Sequence, residues 1–347
     1  MKTRRLLFIS ILLSFCLISS LSGCSTGKDA NENTQQAART VTDMAGRTVT
    51  LPEKIEKIAN IGPVGVLNGF VQLMGEGDKI CHQMPANFTK TDRWKYQPIF
   101  SPQIKDLPVL EVDKNIDLEV LHAIQPDICF TMNKETVESL KEQNIPVVFL
   151  KWTQPEDAKA CIALLGEVFN KRDLAVQYNE YFDRTIAEAG EKTATLKEKK
   201  TALYGKPTDF SQPHLIAEWW LKQAGALSVT DDGRTAERLT YTTEDLLRWN
   251  PDTIFVFTQQ EAKSIKETSA FQSVKAVQDD AIYVVPTVAH VWGNRTIEQP
   301  LMIFWAMHKL YPELMPKEEL QTKIKDFYNT YFHYDMAPNE IDAIIGD

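Results

Sequence analysis

One pattern occurs twice in this chain and limits what it can fold into. Glu119-Val-Leu121 is followed after four residues by Pro126-Asp127 and the apolar run Ile128, Cys129, Phe130. At an offset of 125 positions, Glu244-Asp-Leu246 is followed after four residues by Pro251-Asp252 and the run Thr253, Ile254, Phe255. Each copy reads as a short helix, a turn and a buried strand. Between the copies lies a stretch without proline, 156–206, in a chain that carries 17 prolines. Its second half, 172–197, reads as one helix, with Leu174, Tyr178, Tyr181, Phe182, Ile186, Ala189 and Leu196 on a single stripe of helical period. Such a helix is roughly 40 Å long, a strut rather than one more packed layer. The expectation is an α/β protein: two Rossmann-like α/β lobes joined by one long backbone helix.

The N-terminus sets the address. Lys2, Arg4 and Arg5 precede an apolar segment, 6–20, which ends in Leu21-Ser22-Gly23-Cys24. Small residues before a cysteine, directly after such a segment, look like a bacterial lipobox, in which the Cys24 thiol takes the lipid. Residues 25–39 are polar and read as a flexible tether. The expected organisation is a lipoprotein signal peptide at 1–24, a tether at 25–39, an N-terminal α/β lobe at 40–170, a linking helix at 171–198 and a C-terminal α/β lobe at 199–347. The expected location is a cell membrane, lipid-anchored and facing the extracellular or periplasmic side. The net charge is −9, and loss of the signal removes three cations and no acids to leave −12. That balance argues against nucleic acid and against binding anionic lipid by charge.

Known chemical signatures are missing. The sequence holds no G-x-S-x-G, H-E-x-x-H or G-x-x-x-x-G-K-[ST]. Its six histidines show no metal-ligand spacing, and Cys81, Cys129 and Cys161 stand too far apart in sequence for a metal knuckle. One disulfide among those three is open at this level. The reading is therefore not an enzyme, with no resident cofactor or metal. A strand at 55–61 breaks at Gly62-Pro63-Val64-Gly65 before a helical pattern at 66–74, which makes the start of an α/β unit. Ligands bind at such turns, beyond the carboxyl ends of strands. A further strand is expected at 79–82. The following loop carries Met84, Trp94, Tyr96 and Phe100, either a local lid or a ligand surface.

The lipobox, the spacer, the paired E-x-L-x4-P-D units, the linking helix and the tail Trp292-Gly-Asn-Arg295-Thr-Ile-Glu298-Gln-Pro300 together resemble the iron-complex, cobalamin and siderophore class of substrate-binding proteins of ABC importers. The resemblance covers about residues 40–340. It implies a lipid-anchored, monomeric receptor that captures a metal chelate (iron–siderophore, haem or cobalamin) between its lobes and delivers it to a permease with its ATPase. A receptor for a molybdate- or tungstate-type oxyanion is the alternative within the fold, and a surface lipoprotein hydrolase the alternative outside it.

The resemblance also implies that one glutamate on each lobe, Glu119 and Glu244 here, docks on the permease. Two carboxylates set far apart fix orientation and steer encounter with a cationic partner. The expected ligand contacts are Pro63, Val64, Met84, Trp94, Tyr96, Met132 and Asn133 from the first lobe, and Tyr204, His214, His290, Trp292 and Arg295 from the second. Aromatic faces suit a macrocycle or catecholate, Arg295 an anionic chelate or an oxyanion, and His290 an exposed metal. Arg295 and Glu298 are also spaced to pair on the surface. Many members carry Ser-Pro and a nearby Glu where this chain has Gly62-Pro63-Val64-Gly65, a departure at the first-lobe contacts.

Overall fold

The computed structural model describes residues 38–346. The signal segment, Cys24 and most of the tether lie outside the described residues. In the first lobe, strands Ile58–Ile61, Ile128–Thr131 and Val147–Phe149 form a parallel sheet with Ile128–Thr131 in the centre. In the second, Leu227–Ser228, Thr201–Tyr204, Thr253–Val256 and Ile282–Val284 form a parallel sheet in that order. The two central strands, Ile128–Thr131 and Thr253–Val256, are buried along their whole length. They are covered on both faces, which is why the sequence shows them as apolar runs rather than as alternation.

The repeated motif accounts for both lobes in the same terms. Helices Leu118–Ile124 and Thr243–Trp249 each bury their leucine, Leu121 or Leu246, completely. Each stops at a left-handed residue, Gln125 with φ 50° or Asn250 with φ 42°, and proline then blocks further helix. The aspartate ties the central strand to its neighbour. Asp127 Oδ2 accepts the backbone N–H groups of Glu56 and Lys57 at 2.7 and 2.8 Å. Asp252 Oδ2 accepts the N–H and hydroxyl of Thr201 at 2.7 and 2.9 Å. Each short helix leads directly into its strand and packs back along it. Its first turn, with Glu119 or Glu244, therefore lies toward the carboxyl edge of the sheet.

The linking helix spans Arg172–Thr193, 22 residues or about 33 Å. It buries Ala175, Tyr178, Phe182, Thr185 and Ala189, while Leu174, Tyr181 and Ile186 are only half-buried and Leu196 lies beyond its end. It is not the isolated strut expected. Helix Pro155–Val168 packs along it as an antiparallel partner, and Ile216–Gln223 and Gln299–Leu310 pack on it as well. Gly166 permits the close approach, since a Cβ there would stand 2.7 Å from that of Ala175. Gln299–Leu310 is almost wholly buried. Lys317–Phe332 packs on Val64–Leu73, so the end of the chain returns to the first lobe.

Two local expectations differ. Residues 79–82 make no strand: a 3-10 turn, Gly77–Lys79, leads to a single parallel bridge from Ile80 to Ile58. Among the described residues the three cysteines, Cys81, Cys129 and Cys161, are free. Cys81 and Cys129 flank the same strand on opposite sides, about 10 Å apart at the usual strand spacing and beyond disulfide reach.

Candidate functional site

Between the lobes lies a cavity of about 340 Å3. Its second-lobe wall is built from the carboxyl ends of adjacent strands: Lys206 follows Thr201–Tyr204, and Phe257 and Thr258 follow Thr253–Val256. Its first-lobe wall is the loop that carries Phe88, Arg93 and Trp94. The segment 286–298, which links the last strand to helix Gln299–Leu310, adds His290 and Asn294.

The polar groups of this cavity are mostly donors. Arg93 Nε donates to Thr287 Oγ1 at 3.1 Å, while Arg93 Nη2 is buried and makes no hydrogen bond. Among the described residues no carboxylate pairs with this guanidinium. Burial lowers its proton affinity, but an arginine keeps its charge. His290 Nδ1 is also buried without a hydrogen bond, and burial, with Arg93 and His214 nearby, pulls this imidazole down to about 3. It is therefore neutral. Burial and Arg295 lower His214 in the same direction. Lys206 lies over the Phe257 ring and 3.8 Å from Glu261, whose carboxylate already accepts the Phe257 and Thr258 N–H groups. A buried donor without an acceptor is costly, and Arg93 Nη2 is such a donor in a cavity that the Glu261 carboxylate also lines.

The segment 286–298 is held rigidly. Glu298, fully buried, accepts the N–H groups of Ala289 and His290, each at 2.8 Å, the Thr296 hydroxyl at 3.0 Å and the Tyr328 hydroxyl. From the first lobe, Gln97 Nε2 donates to the Ala289 carbonyl at 2.5 Å. Trp94 stacks obliquely on His290, with 5.1 Å between ring centroids.

The structure brings together three of the twelve residues named from sequence: Trp94, His214 and His290. Tyr204 reaches the site indirectly, its hydroxyl donating to Asn294 Oδ1 at 2.9 Å. The other eight lie elsewhere. Trp292 is buried in the core. Tyr96 donates to Glu340, and buried Met84 accepts from Asn68. Met132 packs on the first-lobe core, Asn133 caps helix Lys134–Ser139, and Pro63 and Val64 start helix Val64–Leu73. Arg295 does not pair with Glu298: it forms an ion pair with Glu237 and donates to the Thr153 carbonyl at 3.3 Å. Glu111, from outside that turn, accepts the Gly62 N–H at 2.9 Å. Sequence reading missed Phe88, Lys206, Phe257 and Asn294, and above all Arg93. Its one signal was a lone arginine beside Trp94 in an aromatic loop. Glu119 and Glu244 are exposed, with no ion pair among the described residues. Among those residues, no three His, Cys, Asp or Glu side chains gather to hold a metal.

Known proteins share this architecture. The family description of periplasmic binding proteins matches residues 78–289. The chain belongs to the periplasmic binding protein family. It is 24% identical over 360 aligned positions to the molybdate-binding protein MolA of Haemophilus influenzae, covering 94% of this chain and 97% of the relative. It is 24% identical over 204 positions to the iron(3+)-hydroxamate-binding protein YxeB of Bacillus subtilis, 57% of each chain. Among solved structures it resembles a periplasmic solute-binding protein of Veillonella parvula (TM-score 0.76, 22% identity, covering 88% of this chain and 96% of that one). It resembles the molybdate-bound form of MolA to a similar degree (TM-score 0.74, 19% identity, covering 86% and 99%). As a periplasmic binding protein it is the solute-binding component of an ABC transporter, and no described helix is long and apolar enough to cross a membrane.

Proposed function

We propose that this periplasmic binding protein captures a small oxyanion of the molybdate or tungstate kind. The observation that carries the reading is Arg93: a guanidinium with a buried, unpartnered Nη2, in a cavity that also offers Lys206 and the unpartnered Nδ1 of His290. A cavity of 340 Å3 has room for about ten waters, which suits a four-oxygen anion with a few bridging waters. The likeness to a molybdate-binding relative over nearly the whole chain supports the same reading. A metal chelate, the first expectation from sequence, is the second reading. Phe88, Trp94 and Phe257 give it aromatic walls, but a cavity of this volume suits a compact anion better. In either case Cys24 carries the lipid that tethers the protein to the membrane. Glu119 and Glu244, exposed on matching first turns, meet the permease.

The test is calorimetric titration of the purified full-length chain with sodium molybdate, sodium tungstate, sodium sulfate, a ferric hydroxamate and haem. Binding of molybdate or tungstate that is lost in Arg93→Ala is expected. Binding of only the hydroxamate or haem would replace this reading with the chelate one. A ligand at 100 times its dissociation constant also stabilises the fold by about 2.7 kcal/mol, so a melting shift provides an independent check.

A further inference from the structure

A second chamber, of about 680 Å3, adjoins the first. Arg93, Phe257 and Thr258 line both and form the wall between them, whereas Thr287 lines only the larger one. The bond from Arg93 Nε to Thr287 Oγ1 is the one hydrogen bond this guanidinium makes among the described residues. The larger chamber has a different chemistry. Tyr96, Tyr283 and Trp305 give it aromatic surface, and the carboxylates of Asp92 and Glu340 also line it. Glu340 is engaged by the Tyr96 and Tyr334 hydroxyls and by the Ala337 N–H. Asp92 makes no side-chain hydrogen bond among the described residues. Lys95 and Lys309 line it too, so its charges balance. A guanidinium released from Thr287 is free to turn into the larger chamber, and its departure joins the two spaces.

We infer that Thr287 is the specificity-determining residue of this receptor: by holding Arg93 in the wall it confines the ligand to the small chamber. This rests on the oxyanion reading for what the small chamber binds. With the bond in place, Arg93 Nη2 serves a compact anion and the aromatic chamber stays separate. Without it, the joined cavity takes an anionic chelate, with the charged centre near Arg93 and Lys206 and the organic shell against Tyr283 and Trp305. Thr287 acts on the ligand through Arg93, so it is a positioning residue.

Thr287→Val removes the hydroxyl at nearly constant volume, and Thr287→Ser retains it. The full-length chain and both variants are titrated calorimetrically with sodium molybdate and with iron(III) tris-catecholate. The expected result for Thr287→Val is molybdate affinity lower by tenfold or more together with chelate affinity higher by tenfold or more, and for Thr287→Ser the parent's behaviour with both. Opposite shifts for the two probes, restored by serine, do not arise from general destabilisation. A valine variant that binds molybdate like the parent, or that still rejects the chelate, overturns the inference. If the parent binds molybdate and the valine variant behaves identically, the gate fails and the oxyanion reading stands. If the parent binds no oxyanion but valine admits the chelate and serine does not, the gate stands and the oxyanion reading fails.

Discussion

The backbone N–H of Asn60 donates to Nε2 of His82 at 2.9 Å inside the first lobe, where His82 is 1% exposed. Nε2 must be unprotonated to accept, so Nδ1 carries the proton and donates to the Gln83 carbonyl at 3.0 Å. Burial lowers His82 to about 4. Below the ordinary histidine value near pH 6.5 the unfolded chain binds a proton that the folded chain refuses, so stability falls as the pH drops from about 6.5 to about 4. For a shift of this size the loss is on the order of 3 kcal/mol. Melting curves across that window are expected to slope less steeply for His82→Gln than for the parent.

The two arginines separate ligand contact from structure. Arg93→Ala is expected to weaken molybdate binding at least a hundredfold with a small change in melting temperature, because Arg93 makes one hydrogen bond to the protein. Arg295→Ala breaks an ion pair with Glu237 and a contact to Thr153, so it should lower the melting temperature and leave molybdate affinity within about threefold. Titration and melting of the same preparations distinguish the two.

Glu298→Gln leaves one of the four groups that converge on this carboxylate poorly matched. A loss of about 1–3 kcal/mol in unfolding free energy is expected. Ligand affinity should fall with it, because the N–H groups fixed by Glu298 belong to Ala289 and His290. Denaturant melts paired with titrations measure both.

Asp127→Ala and Asp252→Ala remove the same tie in different sheets. Each is expected to cost about 1–3 kcal/mol, and the double variant should show the sum, since the sites share no partner. A strong departure from additivity in denaturant melts would show that the lobes do not respond independently.

Glu119→Lys and Glu244→Lys should each leave molybdate titrations unchanged and reduce uptake through the permease by tenfold or more. Uptake by cells that carry the permease, compared with titration of the purified variants, checks this.

Much of the framework was legible in the sequence because it is local. A helix that buries one leucine, stops at a left-handed residue, meets proline and ties the next strand with aspartate needs only a dozen contiguous residues, and it occurs twice. The buried strands appeared as apolar runs for the same reason. The helix Pro155–Val168 beside the linking helix was less visible, because its packing partner lies across a turn and both helices contribute polar faces. The site was hardest to read. Trp292 and Arg295 carry the chemistry expected of ligand contacts, yet one completes a core and the other pairs with Glu237, and no spacing records that difference.

The sequence by itself determined two α/β lobes, their central strands and the long helix between them, since each follows from periodicity, turn chemistry and burial within short stretches. Only the tertiary structure decided which cation faces the cleft. Arg93 stands nearly two hundred residues before Thr287 and His290 along the chain, and they meet because the segment after the last strand folds back onto the first lobe, where Gln97 and Glu298 fix it. A donor left unpaired by that closure is a property of the packing, and packing is what brings residues so distant in sequence to one point.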